Sequence, residues 1–226
     1  MQPWIQQATA QTPQGVTLRL WQRGEEFSIR LTDGNELMNS RLGGSEEALA
    51  TLALEHLQAR PAPRVLIGGL GMGFTLRAAQ TLSPQDAVLV VSEIVPELVD
   101  WAATHMAAVF GECLSDHRVE IRKGDVGAEI RAATGAFDAI LLDVDNGPDG
   151  LTRDGNGALY SDAGLRAARK ALTPGGILAV WSAAPDSAFT ARLAKAGFTA
   201  RAHGVRAGRS GRGGRHTIWT AVRPAG

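Results

Sequence analysis

Two aspartates stand two residues apart in a short segment rich in turn-forming residues. Asp143 and Asp145 belong to the stretch LDVDNGP at 142–148, which follows the apolar run 137–143. Carboxylates this close together can hold a cationic amine and accept a proton from it. The alternative is that they only cap and tighten the loop. A metal site is a weaker interpretation, because the segment has no partner histidine and lacks the spacing of a calcium loop.

A second candidate is the glycine-rich stretch VLIGGLGMGF at 65–74. It is typical of a strand, a tight turn and a helix, in which glycine lets the backbone turn sharply against a ligand while the helix offers free N–H groups. Dinucleotide sites have the spacing G-x-G-x-x-G. Here Gly69 and Gly71 are followed by Gly73, one residue early. The spacing Gly-x-Gly-x-Gly resembles that of S-adenosylmethionine sites in class I methyltransferase-fold enzymes, and it favours such a site over an NAD site.

Two further acids follow predicted strands. Glu93 ends the apolar run 88–93 and comes 20 residues after Gly73, where a carboxylate can accept hydrogen bonds from ribose hydroxyls. Asp125 follows a short strand at 119–121 and is a candidate acceptor for an adenine amine. It can also cap the helix that follows, and the two roles are compatible.

The order of the elements predicts how these residues meet. From residue 64 onward, apolar runs alternate with helical segments, a pattern typical of a parallel sheet with helices on both faces. We predict a doubly wound, seven-stranded, Rossmann-like α/β sheet of the methyltransferase type, with its last strand antiparallel. Ligands of such sheets bind outside the carboxyl ends of the strands, at the switch point.

The first part of the chain has a different spacing of its apolar residues. Residues 16–38 alternate apolar and polar side chains around a glycine turn, which predicts a β-hairpin. A hairpin is marginal alone, so it should dock on the main domain or on a second copy of the chain as a homodimer. We predict an N-terminal hairpin segment at 1–43 and an S-adenosylmethionine-binding domain at 44–226. Ser45 is expected to cap the amphipathic helix 45–57.

Composition limits the function classes. The 226 residues are 44% hydrophobic, enough for a full core. Lys+Arg and Asp+Glu both number 23, so the net charge points to neither nucleic acid nor membrane. A single cysteine, Cys113, excludes a disulfide framework and a four-cysteine zinc site. No apolar run approaches the roughly 18 residues of a membrane span, and the first residues lack signal-peptide features, so we expect a cytoplasmic protein.

The motifs, taken in order, resemble those of the spermidine synthase (polyamine aminopropyltransferase) family, a branch of the class I methyltransferase fold. The resemblance extends from Arg64 to Trp181, about two-thirds of the chain. The matching features are the glycine turn, Glu93 and the segments 124–125, 143–148, 159–161 and 172–176. The hairpin before the first helix also matches that family's N-terminal strands.

The resemblance implies roles for single residues. Glu93 would bind the ribose and Asp125 the adenine of the donor, beside the glycine turn. Asp143 would lie at the donor and assist deprotonation of the acceptor amine. Asn146 and Tyr160 would lie on the substrate side, although an ordinary packing contact at a helix start also accounts for Tyr160. No metal is implied.

The chain departs from the family at positions that bear on the donor. The family's glycine turn carries an aspartate that holds the ammonium of decarboxylated S-adenosylmethionine, and Gly71 stands there. Its D-x-x-D loop becomes Asp143-x-x-Asn146, with Asp145 as a candidate replacement. Like charges close together are costly. Because the protein lacks the aspartate carboxylate at Gly71, the site favours a donor that still has its own carboxylate. We therefore expect methyl transfer from S-adenosylmethionine to a small, amine-bearing acceptor, with aminopropyl transfer from the decarboxylated donor as the alternative.

The segment RAGRSGRGGR at 206–215 leaves a third class open. This basic run lies between the last two predicted strands and is typical of a solvated hairpin loop. It could also contact RNA phosphates or an acidic substrate. An RNA-binding or RNA-modifying protein is therefore a further alternative, against which the neutral total charge argues.

Overall fold

The computed structural model describes residues 2–57, 60–144, 157–208 and 213–225. They form a four-stranded antiparallel sheet followed by a seven-stranded mixed sheet. The first sheet consists of β1 Ile5–Gln11, β2 Thr17–Arg23, β3 Glu26–Arg30 and β4 Glu36–Asn39.

The predicted hairpin is present as β2 and β3, and a strand on each side enlarges it. The sequences of β1 and β4 show little alternation of apolar and polar residues, because both are edge strands with few buried positions. In β1, only Ala10 is buried, and β4 has four residues, of which none is fully buried. Leu20 and Ile29 of the inner strands join the same apolar cluster as Leu49 and Val91 of the main domain. The small sheet therefore docks on the main domain, while a boundary at residue 43 stays a prediction.

Helix α1, Gly44–Leu54, connects the two sheets and continues as a 3-10 turn, Glu55–Leu57. The expectation that Ser45 caps this helix is wrong. Gly43 occupies the N-cap position without a side-chain hydrogen bond. Ser45 lies inside the first turn, and its side chain is fully buried. Because the cap lies two residues earlier than predicted, the Ser45 hydroxyl points into the protein instead of back along the helix.

The large sheet has the strand order β10-β11-β9-β8-β5-β6-β7. Strand β11 is antiparallel to both of its neighbours, and the other neighbouring strands are parallel. This confirms the predicted seven-stranded sheet with an antiparallel last strand. The strands are β5 Arg64–Gly68, β6 Val88–Glu93, β7 Val119–Lys123, β8 Phe137–Leu142, β9 Leu172–Ser182, β10 Thr199–Arg206 and β11 Arg215–Val222.

Helices cover both faces of this sheet, as the continuous apolar strands predict. One apolar cluster joins β5 to α1, α2 and α3 through Ile67, and the other joins it to α5, α7 and α8 through Leu66. The helices after α1 are α2 Phe74–Leu82, α3 Pro96–Ala103, α4 Ala107–Phe110, α5 Val126–Ala132, α6 Gly157–Tyr160, α7 Asp162–Ala171 and α8 Ser187–Lys195, with a 3-10 helix at Gly111–Ser115. None of the helices in the described residues has the length and apolar character needed to cross a lipid bilayer.

The strand order reverses at β5, which pairs with β6 on one side and β8 on the other. The helices that follow β5 and β8, α2 and α7, therefore pack on opposite faces of the sheet, and a crevice lies at the carboxyl ends of the strands, where ligands of such sheets bind.

Candidate functional site

The turn after β5 requires glycine at each of its three predicted positions. Gly69, Gly71 and Gly73 have φ angles of +88°, +51° and +74°, a region that glycine adopts without a steric penalty. At Gly69 a Cβ would lie only 2.5 Å from the carbonyl oxygen of Asp143. At Gly73 it would lie 2.6 Å from the ring of Phe110. The turn is therefore pressed against the segment that follows β8 and against α4.

Glu93 holds this turn in place. Its side chain is 5% exposed. One carboxylate oxygen accepts the Leu70 N–H at 2.8 Å, and the other accepts the Val95 N–H at 2.9 Å. The same carboxylate thus fixes the glycine turn and the start of α3. A carboxylate has about four lone-pair sites, so these bonds do not exclude a ribose hydroxyl as a further donor.

Asp125 caps α5. It accepts hydrogen bonds from the N–H groups of Gly127 at 2.8 Å and Ala128 at 3.1 Å, and Arg131 approaches it at 3.2 Å. The capping role left open by the sequence is therefore present. The residue also borders the crevice, and its contact with adenine stays a prediction.

The crevice brings five of the predicted site residues together. It is bordered by the glycine turn, by the ends of β6, β7 and β8, and by side chains of the N-terminal sheet. Its lining includes Gly69, Gly71, Glu93, Gly124, Asp125, Asp143, Leu18, Leu37 and Met38. Gly73 contributes to the turn but does not line the crevice. The small sheet thus forms one wall of the site, a role that the hairpin pattern did not indicate.

Asp143 is the central acid of the site. Its backbone N–H donates to Gly68 at 3.0 Å, and its Oδ2 accepts the Thr75 hydroxyl at 2.7 Å. The pKa of Asp143 is raised to about 7, mainly by burial and also by the nearby Glu46 carboxylate, while the Thr75 hydrogen bond acts in the opposite direction. An acid that titrates near neutral pH suits general base chemistry.

Glu46 is a site residue that the sequence did not reveal. It comes from the first turn of α1 and lines a second cavity, which borders Gly71, Asp143 and Trp181. Burial raises its pKa, and the Ser45 hydroxyl partly offsets this. In the sequence, Glu46 and its neighbour look like ordinary first-turn acids that complement the helix dipole. Only the fold brings one of them beside Asp143.

The second cavity contains no basic side chain among its described lining residues. These residues are Leu37, Met38, Asn39, Glu46, Gly71, Met72, Asp143 and Trp181. Four of them, Leu37, Met38, Gly71 and Asp143, also line the crevice. The two spaces therefore adjoin, and the second is dominated by two carboxylates.

Three remaining predictions concern residues between β8 and α7. Asp145 and Asn146 lie outside the described residues, so their catalytic and substrate roles stay predictions. Tyr160 is 2% exposed; its hydroxyl donates to the Val144 carbonyl at 3.4 Å, and its ring packs edge-on against Phe189 at 5.7 Å. Packing thus accounts for the position of Tyr160, and contact with a substrate stays a prediction. Within the described part of the chain no cluster of His, Cys, Asp and Glu could hold a metal.

The basic segment joins β10 to β11, as the sequence predicts. Of residues 206–215, positions 209–212 lie outside the described residues. Arg206 donates from Nη1 to the Gly213 carbonyl at 3.2 Å, which closes the base of the connection. A role in RNA binding stays a prediction.

Solved structures with the same fold include two spermidine synthase structures. The spermidine synthase from Thermotoga maritima matches with a TM-score of 0.75 and 18% sequence identity, over 98% of this chain and 73% of that chain. A spermidine synthase in complex with the transition state analogue AdoDATO matches with a TM-score of 0.74 and 18% identity, over the same shares. The chain has the spermidine synthase fold. This confirms the predicted Rossmann-like fold.

Sequence comparisons give no further assignment. No protein-family model matches the chain. No curated protein matches it either. The chemistry must therefore be inferred from the site itself.

Replacement of Glu93 should destabilise the fold as well as the site. Glu93→Ala leaves two buried N–H groups without their acceptor, and each such loss costs about 1–3 kcal/mol. We expect the free energy of unfolding to fall by about 2–6 kcal/mol, measured by urea denaturation. Glu97→Ala removes an exposed acid from the first turn of α3, four residues further on, and should change little. Equal effects of the two changes would contradict the bridging role of Glu93.

The raised pKa of Asp143 makes stability depend on pH. The pKa is about 7 in the folded protein against an ordinary value of 3.8, so between these values the folded state binds more protons than the unfolded state. The contribution of Asp143 to stability therefore falls as pH rises from about 4 to 7. Melting temperatures across this range should fall less in Asp143→Asn than in the wild type. Asp33→Asn, in an exposed turn, is the control, and parallel profiles for all three proteins would contradict this pKa.

Proposed function

We propose that the protein is a spermidine synthase-like transferase that transfers the aminopropyl group of decarboxylated S-adenosylmethionine to a small amine. The observation that carries this proposal is the pair of acids, Glu46 and Asp143, in the cavity beside Gly71. Two carboxylates without a basic neighbour among the described lining residues favour a ligand that is wholly cationic in this region.

The geometry of the two adjoining spaces supports the path of the donor. A nucleoside held between Glu93 and Asp125 in the crevice would direct its sulfonium and tail past Gly71, which borders both spaces. The tail of the decarboxylated donor carries one ammonium. The tail of S-adenosylmethionine carries a carboxylate as well, which would meet Glu46 and Asp143.

This electrostatic reasoning reverses the preference drawn from the sequence. That preference rested on the absence of an aspartate at Gly71. Glu46 lines the same cavity as Gly71 and provides a negative charge from a different element. The aminopropyl alternative also agrees with the two matching structures described above, which are spermidine synthases.

The residues of the site suit nucleophilic displacement by an amine. The donor, when bound, supplies a carbon activated by the sulfonium. Asp143 removes a proton from the ammonium of the acceptor and so exposes the nitrogen lone pair. The Thr75 hydroxyl fixes the orientation of the Asp143 carboxylate. The new N–C bond forms as the C–S bond breaks, and the protein contributes alignment and charge more than covalent chemistry.

Methyl transfer from S-adenosylmethionine is the second candidate, and the open space at Gly71 favours it. A Cβ added there would meet nothing nearer than the Met38 sulfur at 3.7 Å. The larger amino acid tail would therefore find room. This candidate requires the donor carboxylate to be tolerated beside the two acids.

Donor affinity separates the two chemistries. We expect decarboxylated S-adenosylmethionine to bind about tenfold more tightly than S-adenosylmethionine, or about 1.4 kcal/mol, in isothermal titration calorimetry. Glu46→Gln should narrow the difference in affinity, because it removes one of the two charges, whereas Glu55→Gln removes an exposed charge at the far end of α1 and serves as the control. Tighter binding of S-adenosylmethionine would favour methyl transfer, and binding of neither donor would exclude both proposals.

Loss of the Asp143 charge should affect turnover more than donor binding. With decarboxylated donor and a series of primary diamines, we expect Asp143→Asn to lower the rate of methylthioadenosine release by about 10²- to 10⁴-fold, the usual contribution of a general base. Calorimetry should show donor affinity largely kept. A folded Asp143→Asn variant with full turnover would remove Asp143 from the catalytic residues.

A further inference from the structure

A line of three hydrogen-bonded side chains runs from the second cavity to the β10–β11 connection. Ser45 Oγ lies 2.6 Å from Glu46 Oε2 and 2.8 Å from His216 Nδ1. Ser45 is fully buried, so its hydroxyl exchanges no hydrogen bond with bulk water. The line joins the first turn of α1 to the start of β11.

The Ser45 hydroxyl carries a single proton, so it can donate a hydrogen bond to only one of its two neighbours at a time. When Glu46 is ionised, Ser45 must donate to it, and Ser45 then accepts the Nδ1–H of His216. When Glu46 is protonated, it can donate to Ser45, which then donates to an unprotonated Nδ1, and the imidazole proton lies on Nε2. The ionisation of Glu46 and the tautomer of His216 are therefore linked through Ser45.

The surroundings of His216 keep the imidazole in place and neutral. The ring packs edge-on against Trp181 at 4.7 Å, and Trp181 is itself a wall of the cavity. Burial lowers the pKa of His216. A Cβ added at the exposed Gly214 would lie 3.4 Å from Nε2, so that nitrogen faces the end of the hairpin.

The charged groups around the line come from three elements. On α1, Glu47 raises the pKa of Glu46, and after β8 the Asp143 carboxylate interacts with Glu46 across the cavity. On the hairpin, Arg206 and Arg215 are paired one register position beyond His216. A cation bound in the cavity favours ionised Glu46.

We propose that Ser45 and His216 are positioning residues that orient the Glu46 carboxylate toward a cationic amine, and that occupation of the cavity sets His216 in its Nδ1–H form. A cation entering the cavity drives Glu46 to its ionised form. Glu46 passes its proton to Ser45 as Ser45 passes its own to Nδ1, and the imidazole releases its Nε2 proton to water. One proton leaves the protein, no bond to carbon changes, and the step reverses when the cation departs. The identity of the cation rests on the proposed function.

The tautomer of His216 tests the link without any ligand. In ¹⁵N-histidine NMR of the full chain at pH 8, which is far above the ordinary pKa of a glutamate, the wild type should show Nδ1–H at His216. Ser45→Ala should lose this preference, and His203, which contacts Thr220 instead, serves as the internal reference. An Nε2–H form of His216 in the wild type at pH 8, or a tautomer that Ser45→Ala leaves unchanged, would overturn the proposal.

The matched control is a second buried serine that donates to a glutamate. Ser28 is fully buried and donates to Glu36 at 2.6 Å in the N-terminal sheet, so Ser28→Ala removes an equivalent bond between two residues that line neither the crevice nor the second cavity. Should Ser45→Ala lower the melting temperature markedly, Ser45→Cys keeps a side chain of similar size with a weaker donor.

Binding of decarboxylated S-adenosylmethionine tests the positioning role. We expect Ser45→Ala to weaken its affinity about tenfold, the scale of a hydrogen bond to a charged group, and Ser28→Ala to leave it unchanged. Saturating donor at pH 6.5 should increase the Nδ1–H signal of His216 in the wild type only. Equal affinities of wild type and Ser45→Ala would overturn the positioning role. If no donor binds to the wild type, the proposed function fails, while the tautomer at pH 8 still decides whether Glu46 and His216 are linked.

Discussion

The close approach of two loops at the switch point is the constraint on which the site depends. The backbone N–H of Asp143 donates to Gly68 at 3.0 Å, and no Cβ fits between Gly69 and the Asp143 carbonyl. This contact places the Asp143 carboxylate within hydrogen-bond distance of Thr75 on α2. The glycines of the turn therefore act first by positioning an acid, and a ligand then uses the space beside that acid.

The site gathers negative charge from several elements and leaves it without a basic partner among the described cavity residues. Buried carboxylates without a basic partner either have raised pKa values or bind a cation. Both Glu46 and Asp143 have raised pKa values. Such a site is less stable empty than a neutral one would be, a cost often found where a protein binds charged ligands. Under the proposed function, a cationic ligand supplies the missing counter-ion.

The sequence predicted the parts of the fold that local patterns encode. Strands such as β5 are apolar throughout because both faces are buried, and Gly69 and Glu93 stand at recognisable spacings. The local sequence pattern did not predict features that depend on contacts with residues distant in the chain. Strand β1 is polar because it is an edge, Ser45 faces inward because α1 begins at Gly44, and Glu46 becomes a site residue only when α1 packs beside the loop after β8. No local pattern encodes that proximity.

The preference for a donor cannot therefore be deduced from a single position of the glycine turn. The absence of a carboxylate at Gly71 is offset by Glu46, which belongs to another element of the chain. The N-terminal turn of α1 and the Ser45 hydroxyl favour the ionised form of Glu46, whereas burial and the neighbouring acids oppose it, with burial the largest effect. Opposing effects on one carboxylate leave its ionisation sensitive to an added charge. A cation bound beside Glu46 supplies that charge, which makes occupancy of the cavity and ionisation of Glu46 a single event.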